Sequence, residues 1–528
     1  MINYTSQHQL KLELFKHPFK TALDRENRWV KLAAVIPWDK LAEVYSKKLQ
    51  ENTGRKSVNI RTVIAALIVK HKLRLDDRGT IEMIKENIYL QYFCGLEEFT
   101  TKAVFDPSLF VDIRKRLGGE EFEKFNRHII EESEKFKPYQ ARIMHKKKSK
   151  APTEDKDNNE DNAERENDQE GVSENATEEP GNKGTLIVDA TVADQEIKYP
   201  NDVSLLNESR RQLERMIGEL YEESIDGKRP RLYPRKARKD YLNFSKKRRK
   251  SRKEIRRGIK AQLQYVRRDL KVIDRMLGKT NRTHKLTQDD SIMLEVIRKI
   301  YEQQKWMYDH KTHTVKNRIV SLYQWWVRPI VRGKDKTKVE FGAKINVSEV
   351  NGFCRIDQFS WEAFNEGSFL KQQVENYKIV FGRYPGYLLA DGIYLNRENR
   401  KYLRERGIKI TGKPLGRPRV QNPMTSAQRY RKKKKAAQRN HIEGKFGQGK
   451  RGYHLNNIKA RLPETSESWI NAIFLVMNLT KLLSVAEQYG KLFIRFLFFL
   501  SSTLGSWKIY QPIPVSIQKT NNLSIWLK

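Results

Sequence analysis

Thr185-Leu186-Ile187-Val188-Asp189-Ala190-Thr191 is a short apolar run that closes on a carboxylate. Consecutive Leu, Ile and Val over so few residues read as a strand buried on both faces, delivering Asp189 at its carboxyl end. The pattern returns downstream in Gly386-Tyr387-Leu388-Leu389-Ala390-Asp391-Gly392-Ile393-Tyr394, followed by a helical stretch over 396–406. Strand, acid, turn and helix in that order place Asp391 at the carboxyl edge of a sheet, where open α/β sheets build their sites. A strand-end Asp that merely caps a turn shares the local pattern, and Asp194, Glu196 and Asp202 are rival carboxylates close behind Asp189.

A third acid stands alone in Gln438-Arg439-Asn440-His441-Ile442-Glu443-Gly444-Lys445-Phe446-Gly447-Gln448-Gly449-Lys450-Arg451. If Arg439 to Glu443 is helical, the two lie one turn apart on one face. The glycines at 444, 447 and 449 argue against continuing that helix to Lys450. A solvated ion pair on a basic helix explains the same spacing. The two strand-end acids upstream shift the balance toward a shared site.

Around these points the chain divides by pattern. Residues 1–140 read as all-helical: Val63, Ile64, Leu67 and Ile68 recur at helical spacing. A turn at 76–79 precedes a helix capped by Thr80, and Asp106-Pro107 opens another. Helix, turn, helix suits a DNA-binding module or a plain bundle. Residues 141–183 are rich in Glu, Asp and Asn and read as a disordered acidic linker. Residues 205–316 read as helices dominated by positive charge. Lys246 to Lys250 is unbroken cation, and Lys253, Arg256, Arg257, Lys260, Arg267 and Arg268 follow beside a stripe of Ile255, Ile259, Leu263, Val266, Leu270 and Ile273. A folded helix with one basic face binds phosphates. Asp289-Asp290-Ser291 caps the last helix of this block.

Strands are expected at 319–322, 327–331, 339–345, 352–357 and 408–411, with a helix over 369–378. Trp325-Trp326 reads as core rather than a base-stacking platform. Residues 412–423 form a Pro/Gly-rich basic loop, Ser468 opens a core helix, and 486–528 are an apolar tail.

The 528 residues suffice for two or three domains. Lys and Arg number 104 against 65 Asp and Glu, a net charge of +39, which points to a polyanionic partner, above all nucleic acid. Two cysteines, Cys94 and Cys354, exclude a disulfide framework and a cysteine zinc site. The N-terminus lacks a signal-peptide core, and the apolar run at 492–500 is interrupted by Arg495. A cytoplasmic protein is expected. Three acids in basic surroundings suit a two-metal phosphodiester site, since Mg²⁺ takes one or two carboxylates per ion and completes its shell with water and phosphate.

Arg439, Glu443 and Lys450 resemble the Tyr-x2-Arg-x3-Glu-x6-Lys motif of DDE transposases of bacterial insertion sequences, although Ala436 stands at the Tyr position. Ile187 to Thr191, Ala390 to Tyr394, and Val327 to Lys334 with Val339 to Gly342 resemble further pieces of that family, in order. The resemblance implies an α/β fold: an RNase H-like mixed sheet core over 184–485, with a large basic helical insertion at about 205–316, preceded by an all-helical DNA-end-binding domain at 1–140. It implies a nucleoid-associated bacterial transposase that cleaves element ends and transfers the strands to target DNA. Asp189, Asp391 and Glu443 would be catalytic and hold two Mg²⁺ ions, or Mn²⁺ in their place. DNA contacts are expected from Arg439, Lys450, Lys445, Arg451, Arg328, Arg332, Lys334, Lys247, Arg248, Arg249, Arg256 and Arg257. The implied partners are double-stranded DNA, both terminal inverted repeats and target, and a second copy of the chain when assembled on DNA; no membrane is implied. A nuclease of the same core without strand transfer, and a domesticated DNA-binding protein without catalysis, are the alternatives.

Overall fold

The computed structural model describes residues 3–6, 16–17, 22–49, 57–136, 181–279, 285–331, 339–411 and 426–503. Nearly all of the expected acidic linker, the basic loop at 412–423, Arg332, Lys334 and the end of the expected tail lie outside the described residues.

The N-terminal part is helical: α1 (Arg28–Val35), α2 (Trp38–Ser46), α3 (Ile60–Leu73), α4 (Asp77–Glu86), α5 (Ile88–Phe93), α6 (Leu109–Arg116) and α7 (Gly119–Glu134). The expected turn at 76–79 is instead the start of α4. Asp76 is the N-cap, its carboxylate accepting from Gly79 N at 2.6 Å, and Thr80 lies buried inside the helix.

The sheet is built around β1 (Thr185–Asp194). Its order is β2-β3-β1-β5-β6, and β4 also pairs with β3. The long β3 (Val339–Val350) runs antiparallel to β1. Along its other edge it pairs first with β2 (Arg328–Val331), then with β4 (Phe353–Ser360). On the opposite side of β1, β5 (Tyr387–Leu389) and β6 (Lys409–Ile410) are parallel. An antiparallel meander joined to a parallel wing is the mixed RNase H-like core expected from the sequence. The expected strand at 319–322 does not form, because Ile319 and Leu322 are drawn into the core of the helical insertion.

That insertion leaves β1 and returns to β2 through α8 (Asp202–Leu220), α9 (Pro234–Lys246), α10 (Arg252–Lys279) and α11 (Gln288–Asp309). It has its own core, in which Leu206, Leu213, Val266, Ile273 and Ile297 are buried. The cap of α11 is Thr287 rather than the acids after it, with Asp290 reciprocating from the first turn.

Both faces of β1 are covered, as its apolar run requires. Leu186 and Val188 pack with α12 (Leu370–Phe381) and α13 (Arg397–Glu405). After α14 (Ser426–Gln438), Ile187 and Ala193 pack with α15 (Asn440–Gly452) and α16 (Pro463–Thr503) in one core that also contains the N-terminal helices. The expected boundary near residue 140 therefore does not divide the packing. Asn478 on α16 donates to Asn126 Oδ1 on α7 at 2.9 Å and to the Cys354 carbonyl at 2.7 Å, and accepts from Cys354 N at 2.9 Å. Arg355 on β4 pairs with Glu123 at 2.7 Å. The stretch Pro463–Gly490 of α16 is long and apolar enough to cross a membrane, but 72% of its most apolar window is buried inside the protein, as a core helix requires.

Candidate active site

Register brings the first two acids together. Ile187 of β1 sits opposite Leu389 of the parallel β5, and Asp189 and Asp391 each lie two residues further along. Asp391 keeps an extended backbone (φ −72°, ψ 163°) and caps the short turn Gly392–Tyr394, its Oδ1 accepting from Gly392 N at 2.7 Å. Its side chain is exposed, whereas Asp189 is half-buried and accepts from Ala190 N at 2.9 Å.

Glu443 arrives on α15, which packs against β1. The helix continues unbroken through Gly444, Gly447 and Gly449, against the expectation from composition. Packing explains Gly449: a Cβ there would sit 3.1 Å from Leu455 Cδ2 and 3.5 Å from Met477 Sδ. Ile442 is fully buried and anchors the helix, while Glu443 is 54% exposed and pairs with Arg439 Nη2 at 3.2 Å, the one-turn contact its spacing predicts.

Burial pushes the Asp189 carboxyl up to about 6. The Ala190 N–H and Arg439 oppose that shift, while the negative charges of Glu366 and Glu443 add to it. Glu366 was not singled out from the sequence. It begins the turn Glu366–Phe369, which carries neither helical nor strand period, so nothing local marks it. The turn is pressed against the one that follows Asp391: a Cβ on Gly367 would lie 2.7 Å from the Ile393 carbonyl, and Asn399 Nδ2 bridges the Gly367 and Tyr394 carbonyls at 2.8 Å each. Lys344 Nζ pairs with Glu366 at 2.9 Å. Beneath them the buried Tyr394 hydroxyl donates to Asn346 Oδ1 at 2.7 Å. Its pKa is driven upward by burial and then by Glu366, Asp189, Asp357 and Asp391, which places it among all four acids.

Among the described residues no three His, Cys, Asp or Glu side chains converge closely enough to hold a metal ion on their own. The donor chemistry nevertheless fits Mg²⁺ or Mn²⁺. Asp189 and Asp391 offer hard oxygen at adjacent strand ends, and Glu366 and Glu443 bring further negative charge to the Asp189 carboxyl. Such ions need only one or two carboxylates each before phosphate oxygens and water complete the shell.

The expected DNA-binding cations divide into engaged and open groups. Lys450 Nζ lies 3.5 Å from Asp194 and 3.2 Å from Glu340, so it ties α15 to the far end of β1 and the start of β3. The rival Asp194 is thereby engaged away from Asp189, and the rival Asp202 pairs with Arg318 at 2.7 Å. Lys445 faces the buried Glu349. Arg328 is half-buried and donates to the Trp325 carbonyl at 2.5 Å, and Trp326 is buried nearby against Trp361. Arg256 lies 4.1 Å over Tyr308 and donates to its carbonyl, holding α10 to α11. Lys247 pairs with Glu254 at 2.5 Å. Arg248, Arg249, Arg257 and Arg451 are exposed.

Comparison with known proteins matches the model of the transposase DDE domain to residues 388–480, a range that includes Asp391 and Glu443 and excludes Asp189. A second model, a transposase domain (DUF772), matches residues 17–116, within the N-terminal helices. Both matches are to transposase models and support a DDE transposase of the insertion-sequence type. The uncharacterized protein ORF8 in the nfe locus of Rhizobium meliloti is 31% identical over 121 residues, 23% of this chain. The chain covers 58% of that relative's length. No solved structure matches.

Proposed function

We propose that the chain is a metal-dependent transposase that cuts DNA at the ends of its own element and joins the freed ends to target DNA. The observation that carries this reading is the parallel register setting Asp189 beside Asp391, with Glu443 acting on the Asp189 carboxyl from α15. Asp189, Asp391 and Glu443 would hold two Mg²⁺ ions, which would supply activation of the attacking oxygen and offset charge on the leaving oxygen. In the first step water attacks a phosphodiester, the bond to the 3′ oxygen breaks, and a 3′ hydroxyl leaves. In the second step that hydroxyl attacks a target phosphodiester and displaces a new 3′ hydroxyl, so the number of diester bonds is conserved. Arg439 holds the Glu443 carboxylate until substrate arrives. Arg248, Arg249 and Arg257 on the insertion bind phosphate backbone, with two copies of the chain on paired DNA ends.

The test is Mg²⁺-dependent cleavage of DNA carrying the ends that flank the gene, wild type beside Glu443→Gln. Glu443 is exposed, so the variant keeps its fold. Cleavage by wild type alone is the expected result; equal cleavage by both removes Glu443 from the site. Strand transfer from pre-cleaved ends separates the transposase from a nuclease of the same core.

A further inference from the structure

A second charged site lies where the N-terminal helices meet the segment between α15 and α16. A cavity of about 380 Å³ opens there, lined by Lys70 and Asp77 at the α3–α4 junction, Arg114 of α6, Lys459, Arg461 and Trp469. Its floor is fixed. Asp77 receives both Arg114 Nη atoms at 2.8 Å and Lys70 Nζ at 2.9 Å. Lys70 also sits 4.2 Å over the Trp469 ring, with Arg114 at 5.5 Å. The Lys70 and Arg114 side chains are nearly fully buried, and Arg114 Nε has no hydrogen-bond partner among the described residues.

The backbone of the outer wall is pinned. Ile458 bridges to Gln195 next to β1, and the Gln195 side chain donates to the Ala460 carbonyl, so Lys459 and Arg461 project alternately to solvent. Neither has an acidic partner among the described residues. Arg74, at the end of α3, reaches the Arg451 carbonyl at 3.4 Å and extends the positive rim to α15. Within the cavity four cations face Asp77 and Asp76, and Asp76 is occupied as the α4 cap. The excess is positive, and guanidinium and ammonium groups are donors suited to phosphate.

We propose that this cavity seats a backbone phosphate of bound DNA, gripped between the N-terminal helices and the connector that leads out of the Glu443 helix. The proposal rests on the DNA-binding reading above and adds a contact separate from the carboxylates. Buried Arg114 and Lys70 supply a preorganised floor, and Lys459 and Arg461 supply the exposed charges that follow the strand.

The experiment measures duplex binding by the full chain in EDTA as salt is raised, so cleavage plays no part. Each phosphate contact contributes about 0.9 to the slope of log K against log salt. Lys459→Gln combined with Arg461→Gln should lower the slope by about 0.9 to 1.8, for one or two phosphates, and Lys459→Arg with Arg461→Lys should restore it. A steep wild-type slope that the double Gln variant leaves unchanged overturns the cavity assignment and leaves the transposase reading intact. A wild-type affinity insensitive to salt overturns the DNA-binding reading and this site with it.

Discussion

Replacing Asp189 by Asn tests both the position of the carboxylate and the electrostatics around it. The carboxyl rises from an ordinary 3.8 to about 6, chiefly through burial. Two units at ~1.36 kcal/mol each make the ionised form destabilise the folded chain by about 3 kcal/mol. The sign follows from proton binding. Below about pH 4 the group is protonated folded and unfolded, and contributes no difference. As pH rises through about 6 the unfolded chain has already released its proton while the folded chain still holds it, so stability falls and levels off above about pH 7. Asn is uncharged and keeps the oxygen that accepts from Ala190 N. In EDTA, denaturant unfolding should therefore show Asp189→Asn equal to wild type near pH 4 and more stable by about 3 kcal/mol at neutral pH. Saturating Mg²⁺ should then close part of that gap, since a ligand at a hundred times its Kd adds about 2.7 kcal/mol to wild type. The same variant should lose cleavage. A difference between variant and wild type that does not change with pH refutes the argument that burial beside Glu366 and Glu443 sets this carboxyl.

Asp391→Asn should abolish cleavage in the flanking-DNA assay while duplex binding in EDTA stays at the wild-type level, because the side chain is exposed and supports little beyond its own turn. Asn478→Ala should lower stability by about 3 kcal/mol, measured from the urea midpoint, because it strands the Cys354 N–H and carbonyl and the Asn126 Oδ1 in the core.

The strand-end acids were legible because a strand buried on both faces must be apolar, so an acid at its end stands out. Asp189 and Asp391 then meet through sheet register, which composition constrains only through that apolar run. The Arg439–Glu443 pair was legible from helical spacing alone. Glycine was misleading in α15, since its helix penalty is small beside the packing gained where Gly449 lets Leu455 and Met477 approach. Glu366 was invisible because it reaches the site on a short turn, positioned by contacts to Ile393 and Asn399 that lie far from it in sequence. The continuity of the N-terminal helices with the sheet was hidden for the same reason: Asn126, Cys354 and Asn478 form one cluster but carry no shared local pattern.

Lys450 shows how the motif spacing also serves the fold. Its ammonium spans Asp194 at the end of β1 and Glu340 at the start of β3, two turns along α15 from Glu443. Asp189 lies on the same strand as Asp194, so one ion-pair cluster fixes the helix that carries Glu443 relative to the strand that carries Asp189. Ile442, fully buried beside Glu443, prevents rotation about the helix axis. Rigid elements of this kind hold reacting groups more closely than loops do. Asp391 and Glu366 instead sit on two short turns pressed together, and Glu443 is held by the half-buried Arg439. On the proposed reading, Glu443 would reach metal and phosphate by giving up its pair with Arg439, while Lys450 and Ile442 keep α15 in place against β1.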